Sequence, residues 1–178
     1  MHTVTRIGRS IHADHHHALA VLDGLDALIE RHADDDPPDA AALREVLDDV
    51  DGMLAEDVER HFAFEEHALF PLLVREGSHE LAALLGLQHE ELRPLCRHLG
   101  RIGGPLRAVP PDPELWPVFR ALGRDLVSLL VEHIQVEEVA LLAAIDRLVD
   151  AELDDSLARL FAAASMRPPP GRPVPVHL

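Results

Sequence analysis

His61-Phe-Ala-Phe-Glu65-Glu66-His-Ala-Leu69-Phe-Pro-Leu-Leu73 is echoed by His133-Ile-Gln-Val-Glu137-Glu138-Val-Ala-Leu141-Leu-Ala-Ala-Ile145. Both stretches read H-φ-x-φ-E-E-x-A-L-φ-x-x-φ, where φ is apolar. In each, the histidine and the first glutamate stand four residues apart. On an α-helix that spacing puts both side chains on one face, one turn apart. An imidazole and a carboxylate on one face, presented twice, make two halves of a metal site. The question for the rest of the chain is whether other helices supply the remaining ligands.

The first copy lies in a helix predicted from about Ala40 to Arg75, with Asp39 as N-cap. Its apolar stripe is Leu43, Leu47, Val50, Leu54, Val58, His61, Glu65, Leu69 and Leu72, so two polar residues stand in the seam. Pro71 is expected to kink or end this helix nearby, with Gly77 as a stop and Ser78 as the next cap. The second copy lies in a helix predicted from about Pro113 to Val149. Its stripe is Phe119, Leu122, Leu126, Leu129, His133, Glu137, Ala140, Ala144 and Leu148.

Upstream, Val4 to Ser10 reads as a lead-in and a helix is predicted from Ile11 to His32. Its stripe of Ile11, Ala18, Leu22, Leu25 and Ile29 has a gap that His15 fills. Between the two copies, a helix from about His79 to Arg101 carries Leu81, Leu85, His89, Leu92, Cys96 and Leu99, and Pro94 falls inside it. Asp34 to Asp39, acidic and Pro-rich, and the Gly- and Pro-rich run from Gly103 to Pro113 read as breaks. A shorter helix is predicted from Asp150 to about Met166, with Leu153, Leu157, Leu160 and Phe161 apolar. No segment alternates with period two for long enough to be a strand.

Long helices joined by short connections pack antiparallel. The predicted fold is therefore all-α: an up-down-up-down four-helix bundle with an extra short C-terminal helix over residues 1–166, followed by a Pro-rich tail over 167–178 expected to be disordered. The halves repeat, since His15 precedes His61 by 46 residues and His89 precedes His133 by 44. Ile11-x-x-Asp-His15 also matches Leu85-x-x-Gln-His89. The chain reads as two helical hairpins in tandem, each carrying H … HxxxE.

At 178 residues the chain has the length of one domain, with room for a sizeable core. No stretch approaches a membrane span, and the first residues carry no apolar signal core. Cys96 is the sole cysteine, which rules out an intrachain disulfide and points to a reducing, cytoplasmic setting. A net charge of −16 argues against nucleic acid and anionic membrane as partners. The chain has no lysine, no tyrosine and 13 histidines.

Six polar residues fall on core stripes: His15, His61, Glu65, His89, His133 and Glu137. An uncompensated buried carboxylate costs several kcal/mol, and a buried imidazole also needs partners. A cation satisfies all six together. Four imidazoles and two carboxylates suit iron, manganese or zinc rather than calcium or magnesium. Because carboxylates can bridge, six side chains suffice for a dinuclear centre with open positions. The competing reading, core histidines bonded to carboxylates, is reasonable for any one of them and less so for a repeated set.

His15, the HFAFEE of His61–Glu66, His89 and the HIQVEE of His133–Glu138 resemble the hemerythrin-like, or HHE cation-binding, family. The resemblance runs from about Ile11 to Leu148. It implies a bundle holding two non-haem iron ions with an oxo or hydroxo bridge, manganese or zinc being alternatives. His15, His61, His89 and His133 would be terminal ligands, and Glu65 and Glu137 bridging carboxylates. The chain departs from the oxygen carriers of that family, which have a second histidine one turn after the third-helix ligand, where Arg93 stands here. They also have an aspartate five residues after the fourth-helix histidine, where Glu137 here stands at four. One imidazole fewer leaves more coordination open, which favours redox chemistry, sensing or storage over simple oxygen carriage.

Other residues keep two readings. His16 rivals His15 as ligand, and His12 could line the site or be a seventh ligand; His17 reads as exposed. Glu66 and Glu138 could orient imidazoles or sit on a solvated face. His67, His79 and His98 read as surface. Phe62, Phe64, Phe70 and Leu141 read as core that could also shield metal, and Cys96 as a small buried residue. A ferritin-like site needs paired Glu-x-x-His motifs, and Glu76-Gly-Ser-His79 has no partner. The expected function is a di-iron protein that binds or reduces a small oxidant such as O2, peroxide or nitric oxide. The alternative is an iron- or oxygen-responsive sensor or storage module without turnover, with a protein partner left open.

Overall fold

The computed structural model describes residues 4–108 and 114–165. The first helix, α1 (Arg6–Arg31), starts inside the stretch expected to be a lead-in. Its first turn holds no acidic residue of its own. Carboxylates from the other end of the chain take that place. Asp154 accepts from the backbone N–H groups of Arg6 and Ile7 at 2.8 and 2.9 Å. Asp146 accepts from the N–H of Val4 and Thr5 and from the Thr5 hydroxyl. Together with the Thr5 cap they satisfy exposed helix donors and oppose the positive end of the helix dipole.

Helix α2 runs over residues 40–75, capped as expected by Asp39, which accepts from Ala41 and Ala42. Gly77, at φ +87°, ends it. The N–H of Gly77 bonds the Val74 carbonyl and that of Ser78 the Leu73 carbonyl, a closure that needs a left-handed residue at Gly77. The Ser78 side chain makes no capping bond. Helix α3 (His79–Leu106) passes Pro94 unbroken and outruns its predicted end at Arg101. Gly103, expected in a loop, is instead a close approach: a Cβ there would lie 3.3 Å from Cδ2 of Leu47. Buried Leu106 anchors the added turn. Helix α4 covers residues 115–148, and its expected start at Pro113 lies outside the described residues. Helix α5 (Ala151–Ser165) follows; Met166 and the 167–178 tail also lie outside them.

In α2 and α4 the residues Glu65–Leu69 and Glu137–Leu141 widen into π turns. The Phe70 N–H reaches the Glu65 carbonyl, and the Leu142 N–H that of Glu137. A step of four residues overshoots an α-helical turn by about 40°. The wider turns absorb that drift, so His61, Glu65, Leu69 and Leu73 are all buried, as are His133, Glu137, Leu141 and Ile145. The expected stripe continued instead through Leu72 and through Ala140, which are half-buried. Pro71 does not cause the π turn, because Ala143 holds the equivalent place in α4.

Helices α1 and α3 each pack against α2 and α4, which closes the antiparallel bundle; α5 lies on α1 and on the middle of α2. No strand occurs among the described residues, and none of their helices is long and apolar enough to cross a membrane. Among the described residues two apolar clusters form the core. One, around Leu22, Leu47, Trp116 and Phe119, fills one end. The other, around Ile11, Phe64, Leu85, Leu141 and Phe161, fills the opposite end and includes α5. Each fully buried Leu or Ile contributes about 1.5–3 kcal/mol. The polar stripe residues lie between the clusters in chain order on every helix: His15 between Ile11 and Ala18, His89 between Leu85 and Leu92. A polar layer crosses an otherwise apolar interior.

Candidate metal centre

The six stripe residues meet in that layer. His15, His61, Glu65 and Glu137 form one group, and Glu65, His89, His133 and Glu137 a second. Within each group the donor atoms lie within 4.8 Å of one another, and every member is buried. Either group could hold a cation, and both share the two glutamates.

The oxygens divide between the groups. Glu65 sets Oε1 3.0 Å from Nε2 of His61 and Oε2 3.3 Å from Nε2 of His89. Glu137 sets Oε2 3.0 Å from Nε2 of His15 and Oε1 3.3 Å from Nε2 of His133. The four Nε2 atoms and the four glutamate oxygens are all buried without a hydrogen-bond partner. Leaving so many buried polar atoms unsatisfied would be costly. A pair of cations fits this donor set, supplying one positive centre to each group.

The far side of each ring is engaged. His15 donates from Nδ1 to Glu138 at 2.7 Å, His89 to Glu66 at 2.8 Å and His133 to Gln88 at 3.1 Å. Nδ1 of His61 faces Asp14 at 3.6 Å. For His15, His89 and His133 a proton on Nδ1 leaves the lone pair on Nε2, aimed inward. These contacts follow the repeat. Glu66 serves His89 as Glu138 serves His15, and Asp14 faces His61 as Gln88 faces His133. The one chemical difference is a carboxylate at position 14 against an amide at position 88.

Charge is already distributed in the layer. Burial would lower His61, but the charge of Glu65 and the nearby Asp14 and Glu137 carboxylates hold it well above the usual histidine range. Burial would raise Glu137, yet the His15, His61 and His133 imidazoles hold it well below the usual carboxylate range. Burial lowers His133. Glu66 and Glu138 are lowered against their partial burial, the first by Arg93 and His89, the second by His15 and His12.

Arg93 forms a bidentate pair with Glu66, Nη1 and Nη2 donating at 2.8 and 3.0 Å. It thus braces the carboxylate that orients His89. The His89 ring lies against Phe62 at 3.8 Å between centroids and near Phe70 at 5.3 Å. Phe161 of α5 comes within 6.1 Å of His61. Beside His15, His61, His133 and Glu137 lies a cavity of about 30 Å³, with Ala18, Val58, Phe62, Leu130 and Ile134 as its apolar wall and Asp14 also lining it. It is large enough for one or two water-sized molecules.

The hemerythrin HHE cation-binding domain model matches residues 7–145. The chain belongs to this family. No curated protein matches it. As an HHE domain the chain is a metal-binding helical module, and its buried His/Glu cluster is a possible metal site. His16, the rival to His15, is exposed and outside both groups, and His12 bonds Glu138 rather than joining them. His67, His79 and His98 are exposed as expected, while Cys96 is half-buried rather than fully buried. Sequence reasoning did not foresee the parts played by Asp14, Gln88, Arg93 and Phe161. The repeat could have signalled Asp14 and Gln88, which hold equivalent places in the two halves. Nothing local marks Phe161, which reaches the layer only through the docking of α5.

Proposed function

We propose that His15 and His61 hold one iron ion, His89 and His133 a second, and that Glu65 and Glu137 offer one oxygen to each. The centre binds or reduces a small oxidant: O2, peroxide or nitric oxide. Bound iron would supply the redox capacity and Lewis acidity that side chains lack. The chain's own residues fix the imidazoles through Nδ1, pair the carboxylates across the layer and exclude bulk water with Phe62, Leu130 and Ile134. Asp14 and the Nδ1 of His61 offer polar groups beside the cavity that could hold or move a proton there.

The supporting observation is the meeting of unsatisfied donor atoms with a small apolar cavity. A volume of about 30 Å³ suits a diatomic molecule or peroxide. The lone Cys96 supports a reducing, cytoplasmic setting. The test is iron content per chain from iron-supplemented cells, with a visible spectrum before and after mixing with each oxidant. Two irons per chain and an oxidant-dependent spectral change are expected. A folded chain that takes up no metal overturns the reading. Repeated turnover of peroxide or nitric oxide distinguishes catalysis from sensing or storage.

A further inference from the structure

Outside the buried layer, the first helix carries a second group of imidazoles that the centre does not use. His12 and His16 stand one turn apart on α1, and their Nε2 atoms approach to 3.2 Å. The rings meet edge to face with centroids 4.5 Å apart. His12 is half-buried and His16 exposed. Nδ1 of His12 lies 2.9 Å from both oxygens of Glu138. That contact fixes the His12 tautomer with its proton on Nδ1 and a lone pair on Nε2, which accepts a hydrogen bond from Nε2–H of His16; a bound cation replaces that hydrogen as His16 shifts to its other tautomer. Zinc–imidazole bonds are about 2.05 Å long. Two such bonds to nitrogens 3.2 Å apart subtend about 100° at the metal, within the tetrahedral to octahedral range.

We propose that His12 and His16 chelate one divalent first-row cation at the surface, and that this site is the entrance through which the buried centre is loaded. The oriented ring, the convergent Nε2 atoms and the open solvent side match a weak, exchangeable imidazole site, with water completing the coordination. The same carboxylate joins it to the interior: Glu138 accepts from His12 and, at 2.7 Å, from the Nδ1 of His15. A cation on the pair stands one carboxylate away from a residue of the buried layer. The site itself stands on this geometry alone, whereas its role in loading rests on the metal centre proposed above.

The test uses the full chain and its His16→Gln variant, since the His16 side chain is exposed and packs against His12. Zinc(II) is titrated against a chromophoric chelator, and loading by limiting iron(II) is followed by absorbance. The wild type is expected to bind one more zinc, in the micromolar range, than His16→Gln, and the variant is expected to load iron several-fold more slowly. An equal zinc count, or equal loading, overturns the proposal. The Glu65→Ala/Glu137→Ala chain separates the two readings. There the surface step remains while the buried centre is lost. If that chain keeps both buried ions, the metal-centre reading fails and the surface count still stands or falls by itself.

Discussion

Glu66 illustrates how much a residue outside the donor set can matter. Its carboxylate accepts from Nδ1–H of His89 at 2.8 Å and from two Arg93 donors. Such contacts orient the ring and raise its basicity. Glu66→Ala is expected to weaken metal binding on the His89 side roughly 10–100-fold in a competitive chelator titration. Arg93→Ala should act in the same direction, because it frees the carboxylate it braces. Equal affinities in wild type and Glu66→Ala would sink this role. The identities of the six stripe residues were legible because each interrupts an apolar period. Arg93 was legible only as a departure from a family pattern; its bond to Glu66 depends on how α2 and α3 pack.

Helix ends account for much of what the helices do. Gly77 adopts φ +87°, and an added Cβ there would meet nothing within 4 Å. The cost of Gly77→Ala is therefore conformational, about 1 kcal/mol, and thermal melting should register a fall of roughly 2–4 °C. At the start of α1, Asp154 takes the N–H groups of Arg6 and Ile7. Asp154→Ala should cost about 1 kcal/mol and speed hydrogen exchange at the Ile7 amide. Unchanged exchange there would mean that Thr5 and Asp146 suffice. The early start of α1 was largely hidden from a local reading because, besides Thr5, its capping groups come from α4 and α5. The π turns left a trace, the unbroken steps of four in both motif copies, but an apolar residue stands at nearly every position that an ordinary helix would also use.

Across the molecule, the absence of lysine and tyrosine isolates one alkaline titration. Burial pushes the Cys96 thiol up to about 11 from 9.0. A group raised in the folded state contributes its full stability below the unfolded value and loses it as pH rises through the folded one. Stability should thus fall between about pH 9 and 11, by roughly 2–3 kcal/mol, and Cys96→Ala should flatten that slope in denaturant titrations. Metal should act on the whole fold as well, because the donor set assembles only when four helices meet. At a hundredfold excess over Kd, one site adds about 2.7 kcal/mol, a rise of roughly 5–10 °C in Tm that a chelator reverses. A melting curve indifferent to metal would contradict the proposed centre.

Periodicity, caps and breaks in the sequence by themselves determined an all-α bundle and named the six polar residues within it. They could do so because helical period is local and a charged residue in an apolar seam is conspicuous. Packing decided what period cannot carry: which oxygen of Glu65 and Glu137 faces which imidazole, and that Asp14, Glu66, Gln88 and Glu138 stand behind the rings. It also turned His15 inward and left His16 exposed. The two are neighbours on one helix, and only the inward-facing one meets Glu137, 122 residues further along the chain. Contacts between residues so far apart depend on the relative rotation of whole helices, which no window of sequence encodes.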